Sequence, residues 1–273
     1  MIGNQVDFRR VRRQFSGSAG SYDHHAEVQK AVVERLASMI AAQGPPAGPV
    51  VDIGTGTGLL AARLNNTWPQ VSLILSDLSH DMTRSACERV GCGNGTDADC
   101  QTLPFATASI GLVASSSVFQ WLEDLRPAFI EIARVLKPGG RFAFALFGSG
   151  TLCELQYSYR VAASEAGRQV CHLHTFPDAE IVLSAMREAG FEHPELHQET
   201  LVEYHGEVTE LLRSLKNIGA ANASPLRPRG LASRRIMHRM MARYRQQYAG
   251  ERGIPATYEV IYGFGVKSVR SEE

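Results

Sequence analysis

The chain has 273 residues and carries 28 basic and 28 acidic side chains, so its formal net charge is zero. No whole-protein field therefore attracts nucleic acid. An apolar content of 44 % is that of an ordinary globular protein, and the length suits one large domain or a domain with a cover. The N-terminus is basic, and no apolar run reaches the ~18 residues of a membrane span, so we expect a cytoplasmic protein. The five cysteines lack C-x-x-C spacing, which favours reduced thiols.

The first predicted element is a helix that Asp23 can cap at its start. Its apolar positions recur at helical spacing, at Val28, Val32, Leu36, Met39 and Ile40. A segment rich in proline and glycine, residues 44–49, ends this helix and leads into a strand.

That strand, residues 50–53, is followed by a loop with glycine at every second position and then by a predicted helix from Leu59. A strand, a tight turn and a helix N-terminus form the first unit of a nucleotide-binding fold. The loop reads D-x-G-x-G-x-G rather than the G-x-G-x-x-G of dinucleotide sites, and Asp52 precedes the first glycine. Because a carboxylate repels a pyrophosphate, this pattern favours a cationic or amino-bearing ligand.

Strands and helices continue to alternate along the chain. We predict a second strand from Val71 to Leu75 that ends at Asp77, a fourth strand over 110–115 and a buried fifth strand over 142–147. Such alternation predicts an α/β fold with a parallel core sheet and helices on both faces, whose ligand lies at the carboxyl ends of the strands.

The pattern changes after residue 147. We predict an extra helix over 151–169 and a helix from Asp178, its cap, to Ala189, stopped by Gly190. A sixth strand over 196–204 follows, then two helices within 207–249 and a last strand over 257–266.

Four motifs follow one another along the chain: the glycine loop of residues 52–58, the acid Asp77 after the second strand, residues 99–105 and residues 131–141. Together they resemble the motifs of the S-adenosylmethionine-dependent methyltransferases with a Rossmann-like fold. The resemblance implies a seven-stranded sheet and S-adenosylmethionine as the methyl donor, with S-adenosylhomocysteine as product and no metal. It places Asp52 near the methionine amino group, Asp77 on the ribose hydroxyls, Asp99 on the adenine amino group and the Cys100 backbone on the ring. The remaining donor-binding residues that it implies are Gly54, Thr55, Gly56, Gly58, Leu78, Met82 and Ser115.

Segments outside this core resemble one particular family of these methyltransferases. Residues 15–23, 119–121, 215–220 and 257–260 are similar to the malonyl-carrier-protein O-methyltransferases of biotin synthesis. That family methylates the free carboxylate of a malonyl thioester held on acyl carrier protein. Two positions depart from the usual pattern: Ser115-Ser116 stands where relatives often have Ser-Asn, and Ile110-Gly111 replaces Phe-Asp.

The same resemblance implies one domain with a helical lid. The core covers about 45–150, 178–204 and 256–268, and the lid about 1–43, 151–177 and 205–252. Tyr22 and Trp121 are expected at the acceptor pocket, where each has an equally plain interpretation as a packed aromatic.

Burying the malonyl carboxylate requires a cation, and arginine suits a carboxylate as a bidentate donor. Arg213 and Lys216 fall on one face of a predicted helix, so we expect them to clamp the substrate carboxylate. A solvated helix face is the alternative. His172-Leu173-His174 is a weak metal candidate because it lacks a third ligand at suitable spacing.

Residues 227–252 hold eight arginines and one acid. Because carrier proteins are acidic as a family, this segment could steer one toward the site, with Arg234, Arg235, Arg239 and Arg243 as the docking residues. A solvated basic helix or an RNA-binding surface would give the same pattern. Another small-molecule methyltransferase, acting on a quinone precursor or a free dicarboxylic acid, and a non-catalytic donor-binding protein also remain open.

Overall fold

The computed structural model describes residues 26–91, 93–168, 174–218 and 231–269. Its strands form one seven-stranded sheet in the order β3-β2-β1-β4-β5-β7-β6. They are β1 (Val50–Ile53), β2 (Leu73–Asp77), β3 (Gly95–Asp97), β4 (Ile110–Ser116), β5 (Leu136–Phe147), β6 (Phe191–His205) and β7 (Ile254–Lys267). The seven-stranded α/β fold predicted from the sequence is confirmed.

The helices of the described residues connect these strands. They are α1 (Glu27–Ala42), α2 (Leu59–Thr67), α3 (His80–Val90), α4 (Arg126–Val135), α5 (Cys153–Glu165), α6 (Ala179–Glu188), α7 (Val208–Asn217) and α8 (Leu231–Tyr248), with a 3-10 turn at Phe119–Trp121. None of these described helices combines the length and the apolar character needed to cross a membrane.

Strand direction departs from the predicted parallel sheet at one edge. β1 through β5 pair in parallel, but β7 runs antiparallel to both β5 and β6. His205, the last residue of β6, pairs with Ile254, the first of β7, so the chain re-enters the sheet at the end where it left. The intervening segment therefore returns at one end instead of crossing over the sheet, and an antiparallel pair results.

Alternate residues of the central strands feed two apolar cores, one on each face. Val50, Leu112 and Ala114 pack on the face covered by α1, α2, α5, α7 and α8. Val51 and Val113 pack on the opposite face, which α4 and α6 cover. Because a strand buried on both faces favours apolar residues at successive positions, β1 begins with Val50-Val51 and β4 is apolar from Leu112 to Ala114, while the buried polar residues Asp52 and Ser115 lie toward the carboxyl ends.

Several strand boundaries differ from the predicted ones. β5 begins at Leu136 rather than 142, with its register against β4 interrupted across residues 137–140. β6 begins at Phe191 rather than 196, and its register shifts where His193 adopts a φ of 44°. In both places proline and a positive-φ residue disturb the periodicity of two, which hides the start of the strand from a pattern-based prediction.

Helix α6 confirms its predicted cap. The Asp178 carboxylate accepts a hydrogen bond from the Ile181 backbone N–H at 2.9 Å, and Gly190 follows the helix with a φ of 84°. The Asp23 cap predicted for the first helix lies outside the described residues.

The turn between β5 and α5 is tied to β7 by two polar side chains. Glu259 accepts a hydrogen bond from the Gly150 N–H at 2.6 Å, and the Thr257 hydroxyl donates to the buried carboxylate of Glu154 on α5. Leu152 holds a left-handed backbone, φ 53°, while its N–H donates to the Thr257 carbonyl at 2.6 Å. The Thr-Tyr-Glu-Val segment noted in the sequence therefore fixes where α5 leaves the sheet.

Candidate active site

The candidate site lies where the helices change face. β1 and β4 are neighbours, but α2 packs on one face of the sheet and α4 on the other. Their carboxyl ends, Ile53 and Ser115, pair in register, and the Ser115 hydroxyl donates to the Ile53 carbonyl at 2.8 Å. A crevice at such a switch point is where open α/β sheets bind ligands.

The glycines of the loop after β1 meet different constraints. A Cβ at Gly54 would lie 2.1 Å from a methyl carbon of Val118, whereas the one described atom within reach of a Cβ at Gly56 is the Gly54 carbonyl oxygen, at 4.0 Å. Gly58 packs against Ala86 of α3. Gly54 is thus required by packing, while Gly56 leaves open space beside the backbone, which lets a ligand approach it closely.

Asp52 is a buried carboxylate at the base of this loop, with 1 % of its surface exposed. The Thr55 hydroxyl donates to it at 2.8 Å. Burial raises the pKa of Asp52 from 3.8 to about 7, and the nearby Asp77 charge adds to the increase. A carboxylate with so little solvation gains most from a cationic ligand.

Asp77 ends β2 and faces the same loop. One carboxylate oxygen accepts from the Gly56 N–H at 3.0 Å and the other from the Ser79 N–H at 2.8 Å. Burial nevertheless raises the pKa of Asp77. Leu78, which follows it, is half-buried, and Met82 lies buried on α3.

The 99–105 loop is braced from α4 by an ion pair that sequence reasoning recorded only as a motif match. Glu131 accepts from the Leu103 N–H at 2.7 Å, and Arg134 donates to Glu131 and to the carbonyls of Leu103 and Phe105. Within the loop, the Asp99 carboxylate accepts from the Gln101 N–H at 2.9 Å, and the Asp99 side chain is exposed. Cys100 is buried, which raises the pKa of its thiol.

The turn that follows β4 carries polar groups that sequence reasoning missed. Ser117 adopts a φ of 61°, unusual for a residue with a Cβ, and its N–H donates to the Ala145 carbonyl. The Gln120 side chain is 3 % exposed and donates to the Ser117 carbonyl at 2.9 Å. Leaving a buried polar atom unpaired costs about 1–3 kcal/mol, and the side-chain oxygens of Ser116, Ser117 and Gln120 have no partner among the described residues.

Trp121 ends this turn and contacts His174, the residue that begins the described segment before α6. Their ring centroids are 4.9 Å apart, and the His174 ring meets Phe176 edge-on at 4.6 Å. Burial lowers the pKa of His174, so its imidazole is neutral near pH 7. Trp121 thus lies at the carboxyl end of β4 as expected, with a histidine that the sequence had offered only as a metal candidate.

The predicted carboxylate clamp lies on an exposed helix face. Arg213 and Lys216 project from α7, whose opposite face buries Val208, Leu211 and Leu215. Tyr22 and His172 fall outside the described residues. Within the ranges that are described, no three His, Cys, Asp or Glu side chains cluster as a metal site would require.

Three of the four proposed docking arginines are exposed on α8: Arg234, Arg235 and Arg239. They line a cleft of about 710 Å³ between α8 and the end of α5, together with Arg168, His238 and Glu165. Arg243 instead pairs with Glu165 at 2.5 Å, so its charge is partly neutralised.

The fold and the crevice define a class I S-adenosylmethionine-dependent methyltransferase, and residues 51–144 match the methyltransferase-domain family. A solved structure from Thermotoga maritima, described as a possible histamine N-methyltransferase, shares this fold with a TM-score of 0.57 at 18 % identity, over 94 % of this chain and 100 % of that one. A putative methyltransferase from Bacillus halodurans gives a TM-score of 0.58 at 19 % identity, over 86 % and 98 %.

Sequence relatives specify the family. The malonyl-[acyl-carrier protein] O-methyltransferase of Geobacter sulfurreducens is 44 % identical over 95 % of this chain and 99 % of its own length. The enzymes of that name from Halorhodospira halophila and Hahella chejuensis are 37 % and 36 % identical, over 94 % and 93 % of this chain and 87 % and 89 % of their own lengths. The chain belongs to the malonyl-[acyl-carrier protein] O-methyltransferase family.

Proposed function

We propose that this protein transfers a methyl group from S-adenosylmethionine to the free carboxylate of a malonyl thioester on acyl carrier protein, giving the methyl ester that primes pimeloyl formation in biotin synthesis. The observation that carries the proposal is 44 % identity, extending over 95 % of the chain, to a relative bearing the name of that activity. The intact crevice with two buried acids supports it, because a non-catalytic descendant would be expected to lose such costly groups.

The methyl donor fits the crevice through charge and space. It carries a sulfonium and an ammonium group, and either cation would relieve the raised pKa of Asp52 and Asp77. Each Asp77 oxygen keeps a lone pair for a ribose hydroxyl after accepting its backbone N–H. The open space at Gly56 admits the donor against the backbone, and the Asp99 loop would bind the adenine.

The reaction is an in-line displacement at the methyl carbon. The substrate carboxylate oxygen forms a bond to that carbon while the carbon–sulfur bond breaks, and the electron pair stays on sulfur. A carboxylate is already ionised near pH 7, so the protein needs no general base. Its contribution is to align donor and acceptor and to exclude water, and alignment alone can lower the barrier by about 7–11 kcal/mol.

The acceptor carboxylate needs a cation once it leaves water. We assign that role to Arg213, with Lys216 beside it, and assign Tyr22 and Trp121 to the acceptor pocket. This assignment requires the helices of residues 1–43, 151–177 and 205–252 to act as a cover over a single domain. The register of β6 and β7 supports the placement, because the segment between them leaves the sheet at the carboxyl end of β5.

The exposed arginines of α8 provide a surface for an acidic carrier protein. The α8–α5 cleft is lined by several cations and a single acid, Glu165. Attraction between such a surface and an acidic partner raises the association rate more than the final affinity.

The test is a comparison of acceptors. The purified protein is incubated with methyl-labelled donor and with malonyl-, succinyl- or acetyl-carrier protein, and base-labile label on the protein is counted. We expect ester label only with malonyl-carrier protein, because acetyl lacks a free carboxylate and succinyl places it one carbon further away. Free malonate is offered in a parallel incubation, and label on it with none on any carrier protein would favour the alternative small-molecule methyltransferase.

A further inference from the structure

Among the described residues, four buried side-chain atoms that have no hydrogen-bond partner belong to the turn after β4 and to His174, which packs on it. They are Ser116 Oγ, Ser117 Oγ, Gln120 Oε1 and His174 Nε2. Proteins pair nearly all such atoms, so a group of four in one place indicates a ligand that completes them.

These atoms adjoin the predicted donor site without belonging to the glycine loop. Val118, in the middle of the turn, packs so closely on Gly54 that the loop has no room for a Cβ there. The Gln120 amide is held by its bond to the Ser117 carbonyl, and the His174 ring is held between Trp121 and Phe176. The Gln120 amide and the His174 ring are therefore held in place by contacts that leave Gln120 Oε1 and His174 Nε2 unpaired among the described residues.

The hydrogen-bonding capacity of these four atoms excludes the substrate carboxylate as their ligand. Gln120 Oε1 and the bare nitrogen of a neutral imidazole are acceptors, while the two serine hydroxyls can donate or accept. The four atoms include no cation, and two acceptors would repel a carboxylate. Their complement is a neutral group with an N–H and a carbonyl, which is an amide.

We infer that the turn and His174 form an amide-binding subsite for the arm that joins the malonyl thioester to its carrier. This inference rests on the proposed function, since that arm continues from the sulfur into amide groups. The amide N–H donates to His174 Nε2 or Gln120 Oε1, and a serine hydroxyl donates to a carbonyl of the arm. The subsite recognises the carrier's arm, whereas the arginine clamp recognises the malonyl end.

A comparison of two small thioesters measures the contribution of the amide N–H by itself. Malonyl-N-acetylcysteamine carries an amide after the sulfur, and malonyl S-(2-acetoxyethyl) thioester replaces only its N–H with an ester oxygen. We expect the wild type to prefer the amide by about tenfold in kcat/KM, because the ester leaves a buried acceptor of the subsite without its hydrogen bond.

His174→Phe keeps the ring contacts with Trp121 and Phe176 but removes the nitrogen. We expect it to reduce the preference to about twofold or less while leaving the dissociation constant of S-adenosylmethionine unchanged, and Gln120→Leu is the second variant if His174→Phe does not fold. His197→Phe, at an exposed histidine on β6 beside Phe264, is the control and should keep the wild-type preference.

The outcomes separate the inference from the function on which it rests. No methylation of any malonyl thioester by the wild type, with intact donor binding, would contradict the proposed function. Methylation of both thioesters at equal rates, or an unchanged preference in both variants, would overturn the subsite alone. A large loss of donor affinity in the variants would instead assign these atoms to the donor.

Discussion

Asp52 joins two properties that rarely coexist, complete burial and a negative charge that the proposed chemistry uses. Its pKa of about 7 lies above the 3.8 of an ordinary carboxyl, so the folded chain binds a proton more tightly than the unfolded chain between those values. By linkage, the free energy of unfolding of the unliganded protein therefore falls as the pH rises from 3.8 to about 7. A bound cation has the opposite effect on Asp52, because it favours the ionised form of the carboxylate.

We therefore expect S-adenosylmethionine to bind more weakly below about pH 7, with proton release on binding that calorimetry in buffers of different ionisation enthalpy would detect. Asp52→Asn keeps an acceptor for the Thr55 hydroxyl but cannot ionise, so it should reduce the proton release and stabilise the unliganded protein at about pH 8. A wild type that binds the donor equally at both ends of the window would contradict this role.

The loop glycines should respond differently to the same substitution. Gly54→Ala forces a Cβ to within 2.1 Å of Val118, whereas Gly56→Ala adds a Cβ in open space at a φ of 55°. Overpacking costs about 1–3 kcal/mol beyond the backbone strain that both share. Urea denaturation of the unliganded variants should show Gly54→Ala to be less stable by that margin, and equal stabilities would refute the packing explanation.

The carboxylate-binding role proposed for Arg213 can be tested by truncation. Removing the partner of a buried carboxylate costs about 2–5 kcal/mol, so Arg213→Ala should lose that much in kcat/KM for malonyl-carrier protein. Donor affinity should stay unchanged. Arg187→Ala, at an exposed arginine on α6, is the matched control. Full turnover by Arg213→Ala at low acceptor concentration would assign the clamp elsewhere.

At the scale of secondary-structure elements, the Thr257 and Glu259 side chains of β7 hold the turn from which α5 leaves the sheet. Gly148 and Gly150 approach the Glu259 carboxylate so closely that a Cβ at either would lie 2.8–3.0 Å from its oxygen. The turn is therefore shaped around that carboxylate, and α5 inherits its direction from it.

Glu259→Met removes the acceptor for the Gly150 N–H, and a hydrogen bond to a charged group contributes about 1.5–3 kcal/mol. We expect a loss of stability of that size, with faster amide hydrogen exchange in residues 148–165 than in α4. Glu259→Gln keeps an acceptor oxygen and should lose less than half as much. Exchange that is unchanged in α5 would show that the anchor is not needed.

At the scale of the whole molecule, the formal net charge is zero, but the charged side chains are distributed unevenly over the surface. Among the described residues, the exposed arginines of α8 line a cleft that contains one acid, Glu165. Local charge can steer a partner even where the total charge gives no field.

Reversing Arg234, Arg235 and Arg239 to glutamate should lower kcat/KM for malonyl-carrier protein by about tenfold or more at low salt, and should remove most of its salt dependence. Turnover of malonyl-N-acetylcysteamine is the control and should not change, because it carries no acidic protein. An equal loss with both acceptors would mean that the substitutions disturb the fold rather than a docking surface.

Sequence alone determined the class of fold and selected the residues that line the crevice at the carboxyl ends of β1 and β2, because these depend on local chemistry. The relevant features are a glycine loop after an apolar strand, acids at strand ends and a capped helix such as α6. Each depends on residues that are close together in the sequence, because short-range steric contacts and hydrogen bonds determine it. Asp52, Gly54, Gly56 and Asp77 could thus be selected before any contact was known.

Tertiary structure alone decided what depends on distant residues meeting. The antiparallel β7, the bracing of the 99–105 loop by Arg134 and the contact between Trp121 and His174 join segments that are far apart in the chain. No periodicity records such pairs, because each partner is an ordinary residue in its own segment. The unpaired atoms around Gln120 became visible for the same reason: burial is a property of the packed molecule, not of its sequence.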